Sequence, residues 1–235
     1  MVDVKKFKIA GIRNDGKNAK IIKLASTDGN RISFKPGQFV NLYLLENGNP
    51  GIFRQFSVAS PPGEEQLEFC IKILDDGKFT APLGKMQVGD QLGVVGPFGH
   101  FSYLGQQNCI FVAAGTGIAP IMSMLREIKN KKINGNFTLF YSNKTYDSIL
   151  YYDELKGIPQ ENNNIKIVFT LTQEEPEGWA GEKGRVSKEM LDRHVTDPKE
   201  ASWYCCGPLE FVKMLKEYAL SEGTPPEKIK IEGWG

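Results

Sequence analysis

Phe111-Val112-Ala113-Ala114-Gly115-Thr116-Gly117-Ile118-Ala119-Pro120 is the stretch on which the fold of this 235-residue chain turns. It reads as the end of an apolar strand, Cys109–Ala113, a glycine turn, and the start of a helix over Ala119–Lys129 with Ile121, Met124, Leu125 and Ile128 along one face. Glycines at a strand-to-helix turn let the backbone approach a pyrophosphate, whose charge is favoured at a helix N-terminus. Pro120 suits the first helical turn, where its missing N–H costs nothing. The spacing is not GxGxxG, so this is not the standard dinucleotide fingerprint. The same letters also describe an ordinary tight turn, and the surroundings must decide.

Downstream, strand and helix alternate. Phe137–Tyr141, Ile165–Leu171, Ser202–Cys206 and Lys228–Glu232 read as strands, and Ile149–Leu155, Ser187–His194 and Pro208–Leu220 as helices. Such βα alternation predicts a doubly wound parallel sheet, in which nucleotides bind at the carboxyl ends of the strands. Upstream of Leu104 the texture differs. Phe7–Ile12, Lys20–Ala25, Phe39–Leu45, Phe56–Ala59, Leu67–Ile73 and Gln91–Val95 are short strand-like runs, with one helix near Thr80–Lys85. The breaks include Asn14-Asp15-Gly16, Asp28-Gly29-Asn30, Asn47-Gly48-Asn49-Pro50 and Pro61-Pro62-Gly63. Strands so spaced predict an antiparallel β-barrel. The expected organisation is therefore two domains, residues 1–104 and 105–235, joined at the glycine-rich seam Gly96–Gly105.

Lys+Arg 29 against Asp+Glu 28 gives a net charge of +1, which offers no electrostatic reason to expect nucleic acid or an anionic membrane as partner. No apolar run reaches the length of a membrane span, and Met1–Lys8 is not followed by the hydrophobic stretch of a signal peptide. Cys70, Cys109, Cys205 and Cys206 show no CxxC or Cys/His spacing, so no metal site is expected. Adjacent cysteines in a strand point to opposite faces and make a poor disulfide. A cytoplasmic protein with reduced thiols is the expectation.

Three further turns carry chemistry. Arg54-Gln55-Phe56-Ser57 sets an arginine beside a strand. Gly77-Lys78-Phe79-Thr80 offers a glycine turn and a hydroxyl at a helix start, and Cys206-Gly207-Pro208 lies between a strand and a helix. Each has a plain alternative: a solvated edge arginine, a simple helix cap, a buried free cysteine. Together with Pro97-Phe98-Gly99-His100-Phe101 and Gly115–Pro120, in this order across nearly the whole chain, they resemble the ferredoxin–NADP⁺ reductase superfamily.

The resemblance implies an N-terminal flavin-binding barrel, a C-terminal nicotinamide-nucleotide domain, and hydride transfer from NAD(P)H to FAD (FMN second). A one-electron acceptor on a separate protein, such as a ferredoxin, another redox protein or a cytochrome, would follow. It implies that Arg54 pairs with the flavin phosphate, Phe56 lies against the isoalloxazine and Ser57 bonds near N5. Cys70-Ile71-Lys72 would run along the ribityl chain, with Gly77, Lys78, Phe79 and Thr80 at the phosphate. Phe56 departs from the usual tyrosine and forfeits one hydrogen bond of about 1 kcal/mol. Gly115, Thr116, Gly117 and Pro120 would hold the nucleotide pyrophosphate, and Cys206, Gly207 and Pro208 would sit beside the nicotinamide. Ser57, Cys206 and Glu232 are the expected catalytic groups. In Ile231-Glu232-Gly233-Trp234-Gly235, Trp234 resembles an aromatic that covers the flavin and gates nicotinamide access. Ser142-Asn143-Lys144 carries one basic residue, with Asp147 nearby, where an NADPH user would place arginine, so NADH is expected over NADPH. A reductase of free flavin or ferric complexes, and a non-catalytic electron-relay subunit, are the competing readings. No fused iron–sulfur domain is visible.

Overall fold

The computed structural model describes residues 3–29, 31–174 and 176–234, so Asn30 and Gly235 of the quoted stretches lie outside the described residues. Packing divides the chain into two units, Met1–Leu104 with Met122–Glu127, and Gly105–Ile121 with Ile128–Gly235. The inclusion of Met122–Glu127 in the first unit differs from the contiguous division expected.

In the first unit, β1 (Lys5–Asn14), β2 (Ala19–Ser26), β3 (Phe39–Glu46), β4 (Asn49–Ser57), β5 (Gln66–Lys72) and β6 (Gln91–Phe98) form an antiparallel sheet ordered β4-β3-β6-β1-β2-β5. Period-two alternation drives it: in β1, Lys6 and Lys8 are exposed while Phe7 and Ile9 are buried. The inward set, including Leu24, Val40, Leu42, Phe69, Leu92 and Val94, forms one core, each large side chain contributing roughly 1.5–3 kcal/mol. The sheet's two edges are bridged just beyond β4. The Ala59 N–H donates to the Glu68 carbonyl at 2.8 Å, and the Glu68 N–H to Ser60 Oγ at 3.1 Å.

Part of helix α2 (Ile118–Asn130) belongs to this unit and fastens that seam. Arg126 Nη1 lies 2.7 Å from Glu68 Oε1 and donates to the Ala59 carbonyl at 3.0 Å, while Ser123 Oγ donates to the Ser60 carbonyl at 2.7 Å. Glu68 is almost wholly buried, so the guanidinium replaces the water its carboxylate has lost.

Strand β4 is longer than the expected Phe56–Ala59. Asn47 and Gly48, at φ 51° and 79°, make a two-residue hairpin turn, and pairing resumes at once with Asn49. Asn49 and Pro50 were read as part of the break, yet they pair with Glu46 and Leu45. An edge strand tolerates proline, whose missing N–H faces no neighbour. Helix α1 spans Thr80–Lys85, as expected.

The second unit is a parallel sheet of β7 (Asn108–Ala114), β8 (Asn136–Asn143), β9 (Ile165–Leu171), β10 (Glu182–Lys183), β11 (Ser202–Pro208) and β12 (Ile229–Trp234), ordered β10-β9-β8-β7-β11-β12. From β7 the chain winds outward through β8, β9 and β10, then returns to place β11 on the other side of β7. The topological switch point thus falls between the carboxyl ends of β7 and β11. Helices α3 (Tyr152–Glu161), α4 (Lys188–His194) and α5 (Leu209–Ser221) alternate with the strands. Ser187 caps α4 by accepting the Met190 N–H. The helix expected at Ile149–Leu155 begins instead at Tyr152, because Tyr151 adopts φ 56° and ends any earlier helical run. Among the described residues, no helix is long and apolar enough to cross a membrane, and no group of three His, Cys, Asp or Glu side chains is placed to hold a metal ion.

Candidate functional site

At the switch point the register sets Cys206 of β11 opposite Ala113 of β7, so the Gly115–Gly117 turn and Cys206-Gly207-Pro208 leave the sheet side by side. Gly115–Gly117 forms one 3-10 turn whose Gly115 and Thr116 carbonyls accept the Ile118 N–H. The two glycines serve different ends. Gly115 stands at φ 53°, and a Cβ there would meet nothing within 4 Å, so the turn opens on free space. At Gly117 a Cβ would lie 2.4 Å from the Cys206 carbonyl oxygen and 2.7 Å from Trp234 Cη2. Pro120 is buried in the first turn of α2.

Strand β12 completes this corner. Glu232 stands opposite Cys206, and Trp234 opposite Pro208. Trp234 is thus part of a paired strand, with its indole edge against the Gly115–Gly117 turn. The Cys206 thiol is buried; burial first, then the Glu232 carboxylate and Cys205, push its pKa well up, so it stays a neutral, unreactive thiol. All four cysteines are free and buried.

At the carboxyl end of β8, Ser142 and Asn143 are buried and Lys144 is exposed. The Asn143 Nδ2 has no hydrogen-bond partner among the described residues. The loops after β8 and β9 run together: Thr172 and Gln173 N–H groups donate to the Asn143 and Lys144 carbonyls, and the Tyr146 N–H donates to Glu174 Oε2 at 2.8 Å. Glu174 escaped the sequence reading, as did Tyr141, whose hydroxyl donates to the Gly115 carbonyl at 3.0 Å. A phenol at the end of an apolar strand was the available signal, since buried tyrosine hydroxyls find partners.

In the first unit, Arg54, Gln55, Phe56 and Ser57 lie along edge strand β4. Gly51–Gln55 line an open groove of about 670 Å³. Arg54 is exposed, its Nη1 resting on the Phe53 carbonyl at 2.8 Å. Phe56 is half-buried on the core, its ring 5.5 Å from that of buried Phe79, so only part of its face can meet a ligand. Ser57 ends the strand opposite Phe39. Cys70 and Ile71 are buried and Lys72 exposed at the end of β5, with burial pushing the Cys70 thiol far up. At Gly77–Thr80, Lys78 is exposed, and Gly77 gives room for Thr80 Oγ1, which a Cβ would meet at 2.2 Å. The Thr80 hydroxyl, expected to be offered to a phosphate, already accepts the Leu74 N–H at 3.2 Å and closes its own loop.

Residues 7–103 match an oxidoreductase FAD-binding domain, and residues 111–217 an oxidoreductase NAD-binding domain. The chain belongs to the ferredoxin–NADP⁺ reductase superfamily. Its relatives within that superfamily include the glycine betaine monooxygenase reductase subunit of Chromohalobacter salexigens, 31% identical over 86% of this chain and 56% of that protein. The NADH–cytochrome b5 reductase 1 of Arabidopsis thaliana is 34% identical over 69% of this chain and 59% of that protein. The chain thus spans a little over half the length of the curated relatives it matches. The superfamily fold is shared with the FAD/NAD-binding domain of Vibrio cholerae nitric oxide dioxygenase (TM-score 0.89, 18% identity, 99% of each chain). It is also shared with a Neisseria gonorrhoeae ferredoxin NADP⁺ reductase with bound FAD and NADP (TM-score 0.85, 22% identity, 99% of each chain). The residues present fit both groups. Gly115 leaves open space and Asn143 an unpartnered donor for a nucleotide, while β4 offers an exposed arginine above a groove.

Proposed function

We propose that this chain is an NAD(P)H-dependent flavoprotein reductase that passes electrons to a one-electron acceptor on a separate protein. Residues 1–104 would hold FAD and residues 105–235 the nucleotide. The observation that carries this reading is the switch-point corner, where Gly115–Gly117, Cys206–Pro208, Glu232 and Trp234 meet around a turn shaped for a pyrophosphate. Bound FAD supplies a hydride acceptor that can release electrons one at a time.

The protein's own part is positioning and electrostatics. Arg54 pairs with a flavin phosphate through its planar fork. Gly77–Thr80 and Cys70–Lys72 flank the cofactor through backbone. Ser57 offers a hydroxyl to the site that gains charge. The neutral Cys206 packs a polarizable sulfur against the nicotinamide, and Glu232 carries a proton to or from solvent. Trp234, whose indole edge lies beside Gly117, would gate access of the nicotinamide. The names of the relatives, monooxygenase reductases and a cytochrome b5 reductase, support the acceptor class. Four unpaired thiols support a cytoplasmic setting. Anaerobic addition of NADH to the purified yellow protein should bleach its flavin absorbance; a protein that carries no flavin, or a spectrum unmoved by either nucleotide, overturns the reading.

Ser57→Ala should slow flavin reduction in stopped flow roughly tenfold, the worth of one hydrogen bond of about 1–1.5 kcal/mol, with flavin content nearly intact. Reduction at the wild-type rate would remove Ser57 from the site. NADH should outperform NADPH in kcat/KM, because Lys144 grips phosphate only as a point charge and Asp147 and Glu174 repel it. A tenfold advantage for NADPH would refute that preference.

A further inference from the structure

The structure assigns Tyr141 as a positioning residue that aims the backbone of the nucleotide turn. The assignment rests on the proposed nucleotide site and names a residue that sets its geometry without touching the ligand. Tyr141 is fully buried in β8, one strand from the turn it touches. Its hydroxyl lies between two backbone groups, 3.0 Å from the Gly115 carbonyl and 3.3 Å from the Leu150 nitrogen. The carbonyl can only accept and the N–H can only donate, so the phenol proton must point at Gly115.

The Gly115 carbonyl therefore holds two donors, Tyr141 and the Ile118 N–H, which fill both its lone pairs. That fixes the carbonyl toward the interior. In a trans peptide the carbonyl of one residue and the N–H of the next point in opposite directions. Drawing the Gly115 carbonyl toward Tyr141 thus turns the Thr116 N–H the opposite way, away from Tyr141, in a turn where a Cβ on Gly115 would meet nothing within 4 Å. The same hydroxyl ties the turn to Leu150, just before the left-handed Tyr151 that opens α3. One oxygen atom thereby links β8, the nucleotide turn and the approach to α3. A phenylalanine would fill the same volume and supply none of these bonds.

Tyr141→Phe in the full, flavin-loaded chain is the test, read by steady-state kinetics with NADH and by calorimetric binding of ADP-ribose, which contains the pyrophosphate. KM for NADH should rise about tenfold, kcat should stay within twofold, and the Kd for ADP-ribose should rise in parallel with KM. A merely structural role would lower kcat and binding stoichiometry with the folded fraction and leave KM and Kd unchanged, and that result overturns the assignment. Unchanged kinetics and affinity overturn it equally. If the wild-type protein itself neither binds ADP-ribose nor is reduced by NADH, the nucleotide site fails as well; if it does both and the variant matches it, only the role of Tyr141 is lost.

Discussion

Gly117→Ala is expected to lower kcat/KM for NADH by about 10- to 100-fold while the protein keeps its flavin. The new Cβ would stand 2.4 Å from the Cys206 carbonyl oxygen and 2.8 Å from its carbon, both backbone atoms that cannot swing aside as a flexible side chain would. Either the turn or the end of β11 has to move. Overpacking of this kind costs about 1–3 kcal/mol, and each 1.4 kcal/mol is a factor of ten. Gly115→Ala is the informative contrast. It meets no neighbour within the protein, bears the strain of φ 53°, about 1–2 kcal/mol, and sets its methyl in the space left for the nucleotide, so it should weaken nucleotide binding without displacing the end of β11. Steady-state kinetics on both variants, with flavin content measured alongside, make the comparison. A Gly117→Ala protein with wild-type kcat/KM would show that this turn does not receive the nucleotide.

Arg126→Met should destabilise the first unit by about 3 kcal/mol, at the low end of the range for breaking a buried ion pair. Glu68 would keep its carboxylate in the interior, with the half-exposed Lys23, 3.7 Å away, as a weaker counter-charge. Ala59 would lose a donor to its carbonyl in the same stroke. At about 2–4 °C per kcal/mol for a chain of this size, the thermal midpoint should fall roughly 6–12 °C. The double variant Arg126→Met, Glu68→Leu should regain most of that loss, because an apolar pair leaves no charge stranded. A single variant within 1 kcal/mol of wild type would mean that water reaches Glu68.

Most of the switch-point corner was legible because glycine turns announce themselves. Gly115, Gly117 and Gly207 stand where a strand gives way to a helix or turn, and no other residue type marks such places so plainly. What escaped depends on partners distant in sequence. The Arg126–Glu68 pair is separated by 58 residues, and Tyr141 reads as one more apolar strand residue until the Gly115 carbonyl is seen beside its hydroxyl. The two-residue β10 is too short for any periodicity to show. Asn49 and Pro50 were misread because turn formers also occur in an edge strand, and being at an edge is a property of the sheet, not of the segment. At α3, Ile149 and Leu150 suited a helix as well as their neighbours did, and only the left-handed Tyr151 excludes them. In the first unit the motif positions were readable but the occupations of Phe56 and Thr80 were not, since both are also claimed by local packing.

Strand β4 has a bearing on handling as well as on catalysis. As the last strand of its sheet it has, among the described residues, a strand neighbour on one side alone, and its other edge is a template on which another chain can pair. Pro50 and the charged Arg54 blunt that template, but the stretch from Gln55 to Ser57 has no such guard. If the flavin lies along β4, it also serves as the edge's cover, and stripping the cofactor uncovers a surface prone to self-association. Flavin-free protein should then accumulate as soluble oligomers that re-adding FAD disperses, which makes the prosthetic group a chaperone for its own binding strand.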